Sequence, residues 1–249
     1  MRIRLLAVAT ASALLLTACG DGGGGVDVDD PDAEPTDADA GTDDDGADTE
    51  DGGEASAAEG GTLVAAIGGE PDQLNPLTTT SSFAFTVLEN VYDTLVQPGD
   101  DLSMEPALAE SWETSDDLLT WTFQLREGVT FHDGTDFTAE DAVASLEYIQ
   151  AEGANGWRLA MVDSFEATDD YTLTVNLNRP APNLLTQLGP FKGLAIAPSE
   201  AIDAGTLDDE AVGTGPFRLV SSGADVIELE AFEDYWGEGP YLDGIEFRI

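Results

Sequence analysis

A chain this short of histidine and cysteine has few places for chemistry. Its 249 residues hold one Cys, Cys19, and one His, His132. A lone thiol forms no internal disulfide. One His with one Cys builds neither a metal cluster nor a nucleophile–base dyad, so neither a metal nor a cofactor is expected. His132 stands in Phe131-His132-Asp133-Gly134, where Asp-Gly reads as a turn and the imidazole as a structural group. The acidic residues could supply a general acid–base pair, but no spacing singles out two of them. Gly213-Thr214-Gly215-Pro216 has the glycines of a phosphate loop without its Lys or a following helix. Gly213, Gly215 and Pro216 read instead as a hinge-region crossover with tight backbone turns. The remaining candidate is Thr78-Thr79-Thr80-Ser81-Ser82-Phe83. Hydroxyls and free N–H groups at a helix start bind a carboxylate or a peptide carbonyl. The alternative is that Ser81 or Ser82 only caps the helix.

The position of Cys19 indicates its use. Arg2 and Arg4 form a short positive start, and Leu5 to Leu16 form an apolar run broken only by Thr10 and Ser12. That run has signal-peptide length; spanning a bilayer takes about 20 residues. It ends in Leu16-Thr17-Ala18-Cys19-Gly20, which resembles the lipobox of bacterial lipoproteins. Residues 1–18 are therefore expected to be a removed signal peptide, with Cys19 as the lipid attachment point. The acyl chains would hold the protein at the extracytoplasmic face of a membrane, each buried CH₂ contributing about 0.8 kcal/mol.

Residues 19–60 then form a stretch unlike the rest. From Gly20 to Gly60 there are sixteen acids and no base, with Val26 and Val28 the only larger apolar side chains. Such a segment buries too little apolar surface to offset its ordering entropy and is expected to act as a disordered tether. Its flexible span is roughly 35 Å, lengthened by like-charge repulsion. The whole chain sets eight Lys and Arg against fifty-one Asp and Glu, a formal net charge of −43. That field repels nucleic acid, which leaves no nucleic-acid role. Spread this widely, the charge reads first as a solubilising surface; a preference for cationic ligands is the sharper alternative.

Folded sequence is expected from Gly61 onward, with an apolar content of 42% over the chain. Thr62 to Ile67 reads as a short buried strand. Ser81 to Leu95 reads as a helix with Phe85, Leu88, Val91, Tyr92 and Leu95 on one face. Leu118 to Leu125 alternates with period two, which predicts a strand and a hairpin into Val129-Thr130-Phe131. Thr138 should cap a helix running to about Gln150, with Glu140 and Asp141 in its favoured first turn. Val162–Ala167 and Tyr171–Leu177 predict a hairpin, Asn183–Leu188 a short helix, and Phe217–Val220, Val226–Ala231 and Ile245–Ile249 closing strands. The mixture is α/β or α+β.

Several of these segments, in order, resemble the peptide- and nickel-class solute-binding proteins of ABC importers. They include Gly69-Glu70-Pro71-Asp72-Gln73-Leu74-Asn75-Pro76, Pro106 to Glu113, Leu119 to Asp141, Gly213 to Phe217 and Tyr235-Trp236-Gly237. The resemblance implies an α/β fold of the type II periplasmic-binding-protein class, with two lobes closing on ligand. Lobe 1 is expected at 61–95 and 195–249, with a small inserted domain at 96–194 and the second lobe absent. It also implies that Thr80, Ser81, Ser82 and Phe83 contact ligand, and that Trp157 closes over it; otherwise Trp157 is a surface-packing residue. The function expected is a non-enzymatic, monomeric binding lipoprotein that delivers a small solute, a peptide above all, to permease subunits. A truncated surface lipoprotein without a transport ligand is the second reading, and a surface hydrolase, short of a base, is the third.

Overall fold

The computed structural model describes residues 59–189 and 192–249, all within one compact unit. The expected signal peptide, Cys19 and nearly all of the acidic tether lie outside the described residues.

Two four-stranded sheets carry the structure. The first orders its strands β4-β5-β7-β6, with β4 Ala109–Thr114, β5 Thr120–Leu125, β6 Val162–Asp169 and β7 Thr172–Leu177. All its pairings are antiparallel. Alternation decides which face is covered. Trp121, Phe123 and Leu125 on β5, and Leu173, Val175 and Leu177 on β7, all turn inward. Helix α2, Ala139–Ala151, packs against β6 and β7 and buries Ala142, Leu146 and Ile149. Its start is fixed by Asp141, whose carboxylate accepts the Thr138 N–H and hydroxyl at 2.9 and 3.0 Å. The other oxygen accepts the N–H and hydroxyl of Ser199, both at 2.8 Å. One buried carboxylate thus joins α2 to helix α4, Ser199–Ala204, which follows the short helix α3, Leu184–Leu188.

The second sheet orders β1-β10-β9-β8, from β1 Thr62–Ala66, β8 Phe217–Ser222, β9 Val226–Ala231 and β10 Gly244–Arg248. β1 runs parallel to β10, placing Leu63 opposite Ile245. The expectation of a buried β1 is corrected here: Leu63 is 49% and Val64 52% exposed. β1 stands at the sheet edge, where only Ala65 is partly buried against the core. A small β2–β3 ribbon, Val96–Pro98 with Met104–Pro106, lies between the sheets in sequence.

Two further expectations change. Helix α1 covers only Ser82–Leu88 rather than Ser81–Leu95. Beyond it the Asn90 side chain donates back to the carbonyls of Thr86 and Val87 at 2.9 and 3.3 Å. The Asn90 and Val91 carbonyls accept from Phe217 and Gly215 instead of continuing the helix. Val91, Tyr92 and Leu95 are buried all the same. The hairpin into Val129–Phe131 does not form, because β4 and β7 occupy both edges of β5; Thr130 makes only an isolated bridge to Asp136.

Candidate ligand-binding groove

The segment before α1 is organised by its own polar side chains. The Thr79 hydroxyl donates to Asp72 at 2.7 Å and accepts the Ser81 N–H at 3.1 Å. Gln73 donates to the Thr78 hydroxyl at 2.9 Å, and Asn75 accepts the Leu77 N–H at 3.0 Å. Ser81 is the N-cap of α1, its hydroxyl accepting the Ala84 N–H at 3.4 Å. Capping therefore occupies Ser81. Phe83 lies over Gly68 and Gly69, where a Cβ on Gly69 would sit 2.7 Å from the ring. Thr80 and Ser82 are exposed, and among the described residues neither hydroxyl has a protein partner.

Thr80, Ser82 and Trp157 line one open groove of about 570 Å³. Trp157 lies in a 3-10 turn, Gly156–Leu159, that doubles back on the C-terminal end of α2. The glycines permit the reversal: a Cβ on Gly156 would lie 2.5 Å from the Ile149 carbonyl oxygen, and one on Gly153 2.7 Å from the Ile149 Cα. The indole is thereby left 70% exposed. Beneath it, Arg158 is 8% exposed and donates to the Thr186 carbonyl at 3.2 Å. Its guanidinium carbon is 5.8 Å from the Trp157 ring centroid. Burial pushes the Arg158 guanidinium pKa below its ordinary value.

Of the five residues singled out from sequence, Thr80, Ser82 and Trp157 line one groove, Ser81 caps α1, and Phe83, 38% exposed, lies over Gly68 and Gly69. Sequence reasoning missed Phe85, Thr86, Glu89, Asn155 and Arg158 in the lining. A signal for three of them was present. Residues 82, 85, 86 and 89 fall at i, i+3, i+4 and i+7, one helical face, opposite the buried Ala84, Val87 and Leu88. Asn155 reaches over Gly193, where any Cβ would strike its side-chain amide.

The Gly213–Pro216 segment is closed to ligand. A Cβ on Gly213 would collide with the Val91 carbonyl oxygen, and one on Gly215 would lie 2.6 Å from the Val91 carbonyl carbon. The Gly215 N–H donates to Val91 O at 2.9 Å, and the Gly213 N–H donates to His132 Nδ1 at 3.3 Å. With Nδ1 accepting, Nε2 carries the proton and donates to Gly215 O at 2.9 Å. Burial, the largest influence, pushes the His132 pKa below its usual value. The Thr214 hydroxyl and the Trp236 indole N–H each donate to Asp93 at 3.0 Å. Trp236 in turn lies 4.7 Å from the Arg126 guanidinium. Burial and the nearby Asp93 charge push the Tyr235 phenol up to about 12. These groups pack and hydrogen-bond; they do not form a phosphate cradle.

A second pocket, of about 250 Å³, is edged by Glu70, Asp72, Asp208 and Asp209. Two of its acids are already engaged, Asp72 by Thr79 and Asp208 by Asn75. Among the described residues, no group of three or more His, Cys, Asp or Glu could hold a metal ion. No described helix is long and apolar enough to cross a membrane.

Comparison with known proteins gives the groove a setting. Residues 103–249 match the family of bacterial extracellular solute-binding proteins, family 5, middle region. Over 191 residues the chain is 32% identical to the glutathione-binding protein GsiB of Pectobacterium atrosepticum, covering 74% of this chain and 37% of that protein. Heme-binding protein A of Haemophilus influenzae is 36% identical over 190 residues, covering 65% and 35%. Among solved structures, the periplasmic binding protein DppA of Helicobacter pylori, in complex with the peptide STSA, superimposes with a TM-score of 0.70 at 33% identity. The overlap covers 76% of this chain and 43% of that one. The chain thus spans under two fifths of the length of these two curated relatives.

Proposed function

From the premise that this chain belongs to the family 5 bacterial extracellular solute-binding proteins and has their type II periplasmic-binding-protein fold, we propose that it is the binding component of an ABC importer and takes peptides. Its role is to capture and release a solute, without catalysis, at the extracytoplasmic face and to hand it to permease subunits. Residues 61–95 and 195–249 act as lobe 1, 96–194 as the inserted domain, and Gly213, Gly215 and Pro216 as part of the hinge. Cys19 carries the lipid, and the acidic segment after it holds the monomeric domain away from the membrane.

One observation carries the peptide reading. Thr80 and Ser82 meet Trp157, seventy-five residues away in sequence from Ser82, in a single groove with a mainly apolar lining and a few hydroxyl and amide groups. Such a wall suits an extended peptide, whose backbone needs hydrogen bonds at intervals and whose side chains need apolar contact. The DppA structure, solved with a tetrapeptide, supports the same ligand class. Affinity arises when closure adds contacts that the open state lacks.

A thermal-shift screen of the complete gene product against di- to pentapeptides, oligosaccharides and nickel tests this. Saturating peptide at a hundred times its Kd should stabilise the fold by about 2.7 kcal/mol. A shift with sugar or nickel and none with any peptide would overturn the assignment.

A further inference from the structure

The groove carries two aromatic rings but exposes only one of its two charges. Phe85 is half-buried and Trp157 is 70% exposed, so most of the indole surface remains open. Of the two charged residues in the lining, Arg158 is 8% exposed, with its guanidinium held against the Trp157 ring and the Thr186 carbonyl. Glu89 is exposed at the C-terminal cap of α1, and its carboxylate makes no ion pair among the described residues. The charge that an incoming ligand meets is therefore the carboxylate. Thr86 donates its hydroxyl to Ser82 O at 3.0 Å, which leaves that oxygen facing the groove as an acceptor.

We infer that this groove selects a ligand side chain with a cationic head on an apolar stem, as in lysine or arginine, and that Glu89 determines the selection. The inference rests on the peptide reading and deepens it. An aliphatic stem lies along Phe85 and Trp157, while its ammonium or guanidinium gains the ring faces and Glu89. An acidic side chain instead meets Glu89 and the field of a chain with net charge −43. A neutral stem gains the rings alone. The strong acidity, which by itself only marks a solvated surface, here acquires a local consequence.

Titration calorimetry of the complete gene product with Ala-Lys-Ala, Ala-norleucine-Ala and Ala-Glu-Ala tests the selection. The lysine peptide should bind about fivefold tighter than the norleucine peptide, the effect of one partly desolvated cation–ring or ion-pair contact. Glu89→Gln should lower that ratio to about twofold, the part left to the rings. Norleucine equal to or tighter than lysine, or an unchanged ratio in the variant, overturns the inference and leaves the peptide reading standing. Tightest binding of Ala-Glu-Ala also overturns it and assigns selection to Arg158. If no peptide binds, the peptide reading fails, and quenching of Trp157 emission decides the groove's charge preference separately. Trp157 emission is isolated by difference from Trp157→Phe. Scaled to their quenching of free N-acetyltryptophanamide, Cs⁺ should then outdo iodide, with the bias reduced by Glu89→Gln; equal scaled quenching, or no change in the variant, contradicts the selection.

Discussion

The groove at Thr80, Ser82 and Trp157 and the crossover at Gly213–Pro216 are both built with glycine and hydroxyl residues, yet they use these residues in opposite ways. In the crossover the polar groups named above are engaged by protein: the Gly213 and Gly215 N–H groups by His132 and Val91, the Thr214 hydroxyl by Asp93. In the groove the glycines do the packing, Gly153 and Gly156 against α2 and Gly193 under Asn155, while the hydroxyls and the indole face outward. A loop whose donors are engaged internally contributes to stability. A loop held in place by neighbours, with its own donors open, is equipped to bind. Substitutions in the two regions should therefore separate stability from affinity.

The largest expected effect is on the crossover. Gly213→Ala forces a Cβ into the Val91 carbonyl and should cost about 3 kcal/mol, on the order of 10 °C in Tm. Thermal unfolding followed by circular dichroism measures it; a Tm within 2 °C of wild type would remove the distinction between the regions. Thr214→Val comes next. It takes one donor from the buried Asp93 and should cost about 2 kcal/mol, read as a lower denaturation midpoint at constant m-value.

The third effect depends on pH. The folded pKa of His132 is depressed, so the neutral ring is the native form and the unfolded chain binds the proton first. Its contribution is constant above the unfolded pKa of about 6.5 and is lost as pH falls from there toward the lower folded value. Many carboxylates titrate at lower pH, so the comparison is with His132→Gln. The variant should lose less stability than wild type between about pH 6.5 and 5. Identical slopes would show that burial does not hold the ring neutral. The smallest effect belongs to the groove: Ser82→Ala should leave Tm unchanged and weaken peptide binding only about two- to fivefold, one neutral hydrogen bond. A loss of stability in that variant would place Ser82 with the structural loops.

The sequence made some of this legible and hid the rest for physical reasons. Alternation in Trp121-Thr122-Phe123-Gln124-Leu125 and in Thr172–Leu177 identified strands, because one face is covered and the other is not. β4 left no such trace. As an edge strand it buries Ala109 and half-buries Trp112, with the rest exposed. α4 buries no residue, so it carries no apolar stripe. The run Thr62–Ala66 has the composition of a buried strand, but burial is a property of neighbours, and β1 lies at a sheet edge. In the groove, Thr80, Ser82 and Trp157 were visible as residue types. Their convergence was not, because it depends on Gly153 and Gly156 turning the chain back over α2. The helix face through Phe85, Thr86 and Glu89 is present in the spacing, but Phe85 reads equally as one of an apolar set with Leu88, Val91, Tyr92 and Leu95.

The central claim is that Trp157 serves ligand rather than packing. Titration calorimetry of the complete gene product and its Trp157→Ala variant, with whichever peptide gives the largest thermal shift, tests it most directly. The account predicts at least a tenfold weaker Kd, the loss of roughly 1.4 kcal/mol of contact, with the unliganded Tm unchanged. Equal affinities in the two proteins, or a variant that loses stability in proportion to affinity, would contradict it.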